Sequence, residues 1–580
     1  MLRPKQGAAR PGSAAAPAPL QALMKRCKGP ILFAMLFSGF INLLMLAPSL
    51  YMMQIYDRVL QSRSETTLVM LTLILIFGLL TMALLEVVRS RVLVRVGGRI
   101  DEALSASVFE ATLKNHVRNA AQRTQPLNDI AVIRQFAGGA GLLAFFDLPW
   151  MPAFLTLLFL MHPLLGVVSL TGGIILLILA IASEASTRKR LSEATGHNVA
   201  AANFAETSIK NGDAMSAMGM MQGIFARWKE RHDKALSLQG QASDWAGVLM
   251  NASKVTRIAL QSLMLAAGAY LAIEGKISPG VMIAASIIGA KALSPLEVLI
   301  ANWGSLVSAQ LAWKRIKTLL IEAPPAPPRM TLPTPEGNLS VSRIIAAPPG
   351  MQVAVLQGVS FDLAAGESLG IIGPSGSGKS TLARVITGVW PSVAGTVRLD
   401  GAELAQWPKE QLGPHIGYLP QDIDIFDGTV AENIARLGHV DSEAVVAAAR
   451  QAGIHDLILQ LPEGYNTQIG ESGNRLSGGQ RQRIGLARAI YKMPALCVFD
   501  EPNSNLDEEG EQHLVQTVLN LKKSKRTALI ITHRPSVLNH VDKVLVMKAG
   551  QVTFFGSRAE AFAKFARPVA APEASQIATR

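Results

Sequence analysis

Six apolar stretches, near 31–55, 67–88, 140–161, 163–183, 255–274 and 279–301, dominate the first half of this 580-residue chain. Each is close to the ~20 residues that a helix needs to cross the hydrocarbon core of a bilayer. Inside lipid every backbone polar group must be satisfied internally, so a spanning segment is either a helix or part of a closed barrel, and unbroken apolar runs of this length select helix. Hydrophobic residues make up 49% of the sequence, and the mean hydropathy of +0.29 is too apolar for an ordinary soluble enzyme. From about Leu339 onward the pattern changes to short strands, glycine turns and amphipathic helices, so two regions of different class share one polypeptide.

An even number of spans returns the chain to its starting side. The links 89–139 and 184–254 are long and polar, and the other links are short. Cations gather in the long ones, at Arg89, Arg91, Arg95 and Arg99 and again at Arg188, Lys189 and Arg190. The excess of Lys and Arg places those links, and with them both termini, on the cytoplasmic side. The net charge of +13 follows this asymmetry, so no nucleic-acid partner is expected. The first acidic residue is Asp57, and the head, with Arg3, Lys5, Arg10, Lys25, Arg26 and Lys28 amid Ala and Pro, shares the composition of an organellar transit peptide. The expectation is instead an unstructured cytoplasmic tail over 1–28. No cleavable signal is evident, because the first apolar run has full span length and no clear small-residue cleavage site. Cys27 and Cys497 are the two cysteines, too few for a disulfide framework or a metal set.

The stretch SLGIIGPSGSGKST, Ser368 to Thr381, joins an apolar strand to a glycine-rich loop and then to a helix, the P-loop pattern in its expected setting. Gly373, Pro374, Ser375, Gly376, Ser377 and Gly378 form the loop whose backbone N–H groups would cradle phosphates. Lys379 would reach the β- and γ-phosphates of ATP, Ser380 would offer a hydroxyl to Mg²⁺, and Thr381 follows in the helix. In LCVFDE, Leu496 to Glu501, four apolar residues precede two carboxylates, the form of a buried parallel strand emerging at its C-terminal edge. Asp500 is then a candidate for Mg²⁺ and Glu501 for the general base that polarises the attacking water.

Together with LSGGQ (476 to 480) and ITHR (531 to 534), these motifs resemble the nucleotide-binding domain of an ATP-binding cassette transporter. The resemblance implies that Gln421 in YLPQD touches both metal and water, that Asp507 in SNLD serves nucleotide binding, and that His533 acts in catalysis. It also implies that Ser477, Gly478, Gly479 and Gln480 close on the γ-phosphate held by the P-loop of a second subunit. One P-loop and one set of six spans, with no internal repeat, then make a homodimer the simplest working unit. One departure stands out: IIAAPPGMQ, Ile344 to Gln352, lacks the aromatic residue that such domains place before the P-loop to stack on adenine.

TQIGESG, Thr467 to Gly473, resembles the loop that precedes the signature in exporters, with Glu471 expected to contact cytoplasmic loops. YMMQIYDRVL (51 to 60), FFDLPWMP (145 to 152) and SIKNGDAMSAMGM (208 to 220) are similar to type I secretion permeases of the alkaline-protease exporter group. That resemblance implies a bacterial inner-membrane ATPase working with a periplasmic adaptor and an outer-membrane channel. Its cargo would be an unfolded protein with a C-terminal secretion signal, in many cases one with calcium-binding repeats. The alternative is a lipid or drug exporter using the same cassette. With about thirty residues ahead of the first span, no peptidase domain is expected and Cys27 is not expected to act as a nucleophile, which suits this group.

The expected fold is a polytopic α-helical membrane domain of the type I exporter kind, fused to an α/β P-loop domain. The expected boundaries are a tail at 1–28, a membrane domain at 29–320, a Pro-rich linker at 321–337, a cassette at 338–562 and an Ala-rich tail at 563–580. Within the spans, Asp147, Lys291 and Glu297 are expected to face a translocation pathway or each other, and Pro149, Pro152 and Pro295 to kink their helices.

Overall fold

A computed structural model describes residues 18–118, 125–324, 330–349, 351, 353–470 and 476–565. The chain divides into two compact units, Met1–Pro325 and Ala326–Arg580. The first is helical: α1 (Ala18–Leu44), α2 (Ala47–Gln54), α3 (Glu65–Arg118), α4 (Gln125–Ala137), α5 (Ala140–Asp147), α6 (Met151–Met161), α7 (Pro163–Lys210), α8 (Gly212–Ala217), α9 (Met221–Ile273), α10 (Pro279–Ala301) and α11 (Trp303–Glu322). Six stretches among the described residues are long and apolar enough to cross a membrane. The links read from sequence as long polar segments are largely helix. The 54 residues of α3 reach about 80 Å, far beyond a hydrocarbon core, so its C-terminal half continues the span into water.

The expected unstructured head is corrected from Ala18 onward, where α1 already runs. Leu20, Leu23 and Cys27 are buried in one cluster with Leu104 of α3, Ile130 of α4 and Ile316 of α11. Their spacing puts them on one helical face, and the intervening Lys25, Arg26 and Lys28 mask that face in a linear reading. Residues before Ala18 lie outside the described part of the structure.

Proline acts in two ways. Pro149 sits in a 3₁₀ turn (Leu148–Trp150) and Pro152 in the first turn of α6, where its missing N–H costs nothing, so the third span is two helices in series. Pro295 lies inside α10, which runs on through it. At the other end of α10, Ser278 caps the helix, its Oγ accepting from Val281 N–H at 3.2 Å. Asp57, in a π-helical turn (Ile55–Val59) after α2, accepts from Ser278 Oγ–H at 2.5 Å and from Gly280 N–H at 2.9 Å. A carboxylate therefore faces the positive end of α10 and ties the first span to the sixth.

Asp147, expected to face a pathway or another charge, is held in a part-buried polar network. Arg89 Nη1 donates to Asp147 Oδ1 and to Ser38 Oγ, both at 2.9 Å, and Asn42 Nδ2 donates to Asp147 Oδ1 at 2.9 Å. Arg89 is 6% exposed, so its charge is matched inside the bundle, where α1, α3 and α5 meet. Glu297 pairs with Arg257 of α9 at 2.5 Å, and Lys291 is exposed.

The second unit carries two sheets. One is four-stranded in the order β2-β1-β4-β5, from β1 (Leu339–Ala346), β2 (Leu356–Leu363), β4 (Ala394–Leu399) and β5 (Ala402–Glu403). The other is six-stranded in the order β10-β9-β3-β8-β7-β6, from β3 (Ser368–Ile372), β6 (Ile416–Leu419), β7 (Leu496–Asp500), β8 (Thr527–Ile531), β9 (Lys543–Lys548) and β10 (Gln551–Ser557). Strands β3, β6, β7, β8 and β9 run parallel, so the chain segments after β3, β6, β7 and β8 all emerge at one edge. The unit also contains helices α12 (Lys379–Ile386), α13 (Val430–Ile434), α14 (Ser442–Gln451), α15 (His455–Leu459), α16 (Gly478–Ile490), α17 (Glu508–Lys523) and α18 (Arg558–Phe565). β7 and β8 are buried along their whole length, which explains their unbroken apolar sequence.

Replacing Asp147 by Ala leaves Arg89 buried without its carboxylate, at a cost of about 3–5 kcal/mol. The purified Asp147→Ala chain is expected to unfold at a clearly lower temperature than wild type, with Asp147→Asn intermediate. Equal unfolding midpoints for wild type and Asp147→Ala would contradict the buried-pair account.

Candidate active site

The P-loop follows β3. Gly373 takes φ +155°, and a Cβ there would collide with the carbonyl oxygen of Met547 on neighbouring β9, so the tight exit from the strand requires glycine. Pro374, Ser375 and Gly376 form the exposed rim of the turn, and Ser377, Gly378 and Lys379 are buried at its base. Gly378, at φ +97°, precedes α12, the helix that holds Lys379, Ser380 and Thr381. Lys379 Nζ donates to the carbonyls of Gly373 at 2.8 Å and Pro374 at 3.1 Å, so its ammonium is poised across the loop.

β7 delivers Asp500 beside α12, where Ser380 Oγ–H donates to Asp500 Oδ1 at 3.1 Å. Asp500 is 1% exposed, and burial raises its pKa above the usual carboxylate range more than the Ser380 hydroxyl lowers it. Asp500 Oδ2 and Ser377 Oγ are buried with no hydrogen-bond partner among the described residues. An unmatched carboxylate oxygen next to a serine hydroxyl is the hard-oxygen donor set that suits a divalent cation. These residues fit a magnesium–triphosphate group.

Glu501 adopts left-handed backbone geometry, φ +51°, which is uncommon for a non-glycine residue. Its N–H donates to Ile531 O at 3.0 Å, and its Oε2 accepts from Gln421 Nε2 at 3.0 Å. Gln421, two residues past β6, is thus joined to Glu501 although 80 positions separate them. His533 follows β8 and is exposed. The residue before it, Thr532, donates to Asn503 Oδ1 at 3.0 Å and accepts from Arg534 N–H at 3.1 Å. Sequence reading missed Asn503, because no local pattern marks a partner across two strands.

Ser477 caps α16 in a reciprocal box: its Oγ accepts from Gln480 N–H at 3.2 Å, and its own N–H donates to Gln480 Oε1 at 2.9 Å. Gly478 and Gly479 lie against Asn505, and a Cβ on Gly479 would be 3.0 Å from the Asn505 carbonyl oxygen. Among the described residues no hydrogen bond joins the signature, 476–480, to the P-loop. Asp507 caps α17 by accepting from Gly510 N–H at 2.9 Å and pairs with Arg483 at 2.5 Å. The Gly510 amide, and then the Arg483 guanidinium, hold Asp507 below the usual carboxylate range. Arg483 was not singled out in the sequence; the signal available was a cation on the buried face of an amphipathic helix. Glu471 lies outside the described residues, as do Gly350 and Gln352 of the segment that lacks an aromatic. Met351 of that segment and Val353 just after it are exposed, and Val355 Cγ1 sits 3.3 Å from the position of a Cβ on Gly378.

A P-loop cassette fused to six membrane-crossing helices defines a transporter driven by nucleotide hydrolysis. The ABC transporter profile matches residues 356–504, and the ABC transporter transmembrane region matches residues 31–289. The type I secretion system ATP-binding protein PrsD of Rhizobium meliloti (strain 1021) is 43% identical over 554 residues, 94% of each chain. The leukotoxin export ATP-binding protein LtxB of Aggregatibacter actinomycetemcomitans is 29% identical over 534 residues, 91% of this chain and 75% of its own. A solved bacterial Atm1-family ABC exporter with ATP bound has the same fold, with a TM-score of 0.81 at 24% identity over 95% of this chain and 99% of that one. The chain belongs to the ABC transporter family, among the type I secretion ATP-binding proteins. It is a multi-span membrane protein that binds and hydrolyses ATP.

Asp507→Ala removes the α17 cap, worth about 1 kcal/mol, and strips Arg483 of its carboxylate, whereas Asp507→Asn keeps a capping oxygen. Thermal unfolding of the purified chain is expected to fall further for Ala than for Asn. Indistinguishable midpoints would contradict the capping role.

Proposed function

We propose that two copies of this chain form the ATPase and permease of a type I secretion system in a bacterial inner membrane. They export unfolded protein that carries a C-terminal secretion signal, with both termini of each chain cytoplasmic. The observation that carries the catalytic part is the convergence of Gln421 on Glu501 beside the Ser380–Asp500 pair, four side chains from three segments at one sheet edge. The domain boundaries follow the same reading, with the cassette at 338–562 behind a linker at 321–337.

In this account the P-loop amides and Lys379 hold the β- and γ-phosphates of ATP. Ser380, Asp500 and Gln421 would hold Mg²⁺, which would neutralise developing phosphate charge. Glu501, with its carboxylate oriented by Gln421, accepts a proton from the attacking water. His533 offers an imidazole N–H that steadies the γ-phosphate as the bond to the β-phosphate breaks. Ser477, Gly478, Gly479 and Gln480, at the N-terminus of α16, bind the γ-phosphate held by the partner's P-loop, with Asp507 shaping the adjoining turn. ATP then joins the two cassettes, hydrolysis separates them, and the spans alternate their access. Adenine rests on aliphatic surface at Met351 and Val353 in place of an aromatic ring. A periplasmic adaptor and an outer-membrane channel complete the route, and cargo includes proteins with calcium-binding repeats.

ATPase activity of the purified full-length chain, with and without C-terminal fragments of candidate secreted proteins, tests this reading. Wild type is expected to respond to one fragment, and Glu501→Gln to lose at least 100-fold in turnover while retaining ATP binding. Stimulation by lipids or hydrophobic drugs, with none by any fragment, would instead assign a small-amphiphile cargo.

A further inference from the structure

The segment that carries His533 is short, exposed at 533–535 and held from both sides. Before the histidine, Thr532 is fully buried; its hydroxyl donates to Asn503 Oδ1 at 3.0 Å and accepts from Arg534 N–H at 3.1 Å. After it, Pro535 opens a helical turn, Pro535–Leu538, whose Val537 is buried in one cluster with Leu514 and Val518 of α17. The His533 side chain itself makes no hydrogen bond among the described residues. Its imidazole is therefore placed by what grips its neighbours.

One side chain of α17 grips them. Glu511 lies in the first turn of that helix; its Oε1 accepts from Ser536 Oγ–H, and its Oε2 lies 4.0 Å from Arg534 Nη1. The two contacts differ in weight. The Arg534 side chain is 58% exposed, and an ion pair that open to solvent contributes little. The Glu511 side chain is 21% exposed, and a hydroxyl donating to a carboxylate is a charge-assisted bond, among the stronger hydrogen bonds. The serine bond is thus the main tether, and it meets the chain three residues after His533. The helix at its other end is itself braced: Asp507, one turn before Glu511, caps α17 and pairs with Arg483 of α16. With the cap supplied by Asp507, the Glu511 carboxylate is left to the His533 segment.

We propose that Glu511 is a positioning residue for ATP hydrolysis: through Ser536 it fixes the segment that presents His533 to the γ-phosphate. This rests on the catalytic role proposed above for His533. A donor that must meet a phosphate oxygen within hydrogen-bond reach tolerates little displacement. Loosening the segment therefore lowers turnover, while nucleotide binding, supplied by the P-loop and Lys379, stays.

The test is ATPase kinetics of the purified full-length chain carrying Glu511→Ala, Ser536→Ala, Glu511→Gln or His533→Ala. Glu511→Ala and Ser536→Ala are expected to lower kcat about tenfold, with KM for ATP within about twofold of wild type. Glu511→Gln keeps a carbonyl oxygen for the Ser536 hydroxyl and is expected to retain most of the turnover. To separate positioning from a general loosening of the cassette, Glu511→Ala is combined with His533→Ala and single-turnover rates are compared, which resolve residual activity. If Glu511 acts through His533, adding Glu511→Ala to His533→Ala costs little further rate. Equal proportional losses in both backgrounds would make Glu511 merely structural and overturn the proposal. Full turnover in Glu511→Ala beside a deficit in His533→Ala would overturn it alone, whereas full turnover in His533→Ala would remove the histidine from catalysis and this inference with it.

Discussion

A triphosphate gripped at one end of a parallel sheet presents its γ-phosphate outward, and whatever closes over that face decides when hydrolysis occurs. Here the proposed second set of donors lies at the N-terminus of α16, and among the described residues it makes no hydrogen bond to the P-loop of its own chain. Its geometry is nonetheless finished: Ser477 and Gln480 cap each other, and Gly479 sits close against the Asn505 carbonyl. A rigid, glycine-bared helix start aimed at no partner in its own chain is the constraint from which the proposed dimer follows. In the proposed dimer each cassette supplies half of each of two sites.

The membrane unit is organised by charges buried at helix crossings. Arg89 with Asp147 joins α1, α3 and α5, and Arg315 with the fully buried Asp129 joins α11 to α4 through bonds of 2.6 and 2.7 Å. Such pairs contribute little beyond their desolvation cost, but separating the partners is expensive, so they fix which helices stay together. The arrangement fits elements that move as bodies while their internal crossings hold.

The cassette was legible because its chemistry is written in contiguous motifs. Strand, loop and helix around Lys379, and the apolar run before Asp500, carry their own structural setting. The membrane half was legible in span number but not in partnership. Asp147 reads as a charge in an apolar span, and nothing local to it announces Arg89, 58 positions earlier, as its counter-ion. Likewise the cations Lys25, Arg26 and Lys28 suggest a solvated tail, while Leu20, Leu23 and Cys27 pack on the opposite face of the same helix. Asn503 and Arg483 were hidden for the same reason, since their partners Thr532 and Asp507 come from other elements. Local pattern identifies an element and its chemistry; long-range matching of buried polar groups appears only once the elements pack.

Complementation in purified mixed dimers tests the central claim most directly. Two differently tagged chains are co-expressed, one carrying Lys379→Ala and the other Ser477→Arg, and dimers holding both tags are isolated for ATPase assay. If each nucleotide is bound by the P-loop of one chain and the signature of the other, one intact site forms and roughly half of wild-type turnover returns. In the same account, pairing a chain that bears both substitutions with a wild-type chain leaves no intact site and no activity. The reverse pattern, with activity only when both substitutions share a chain, would contradict the account and place each signature over its own P-loop.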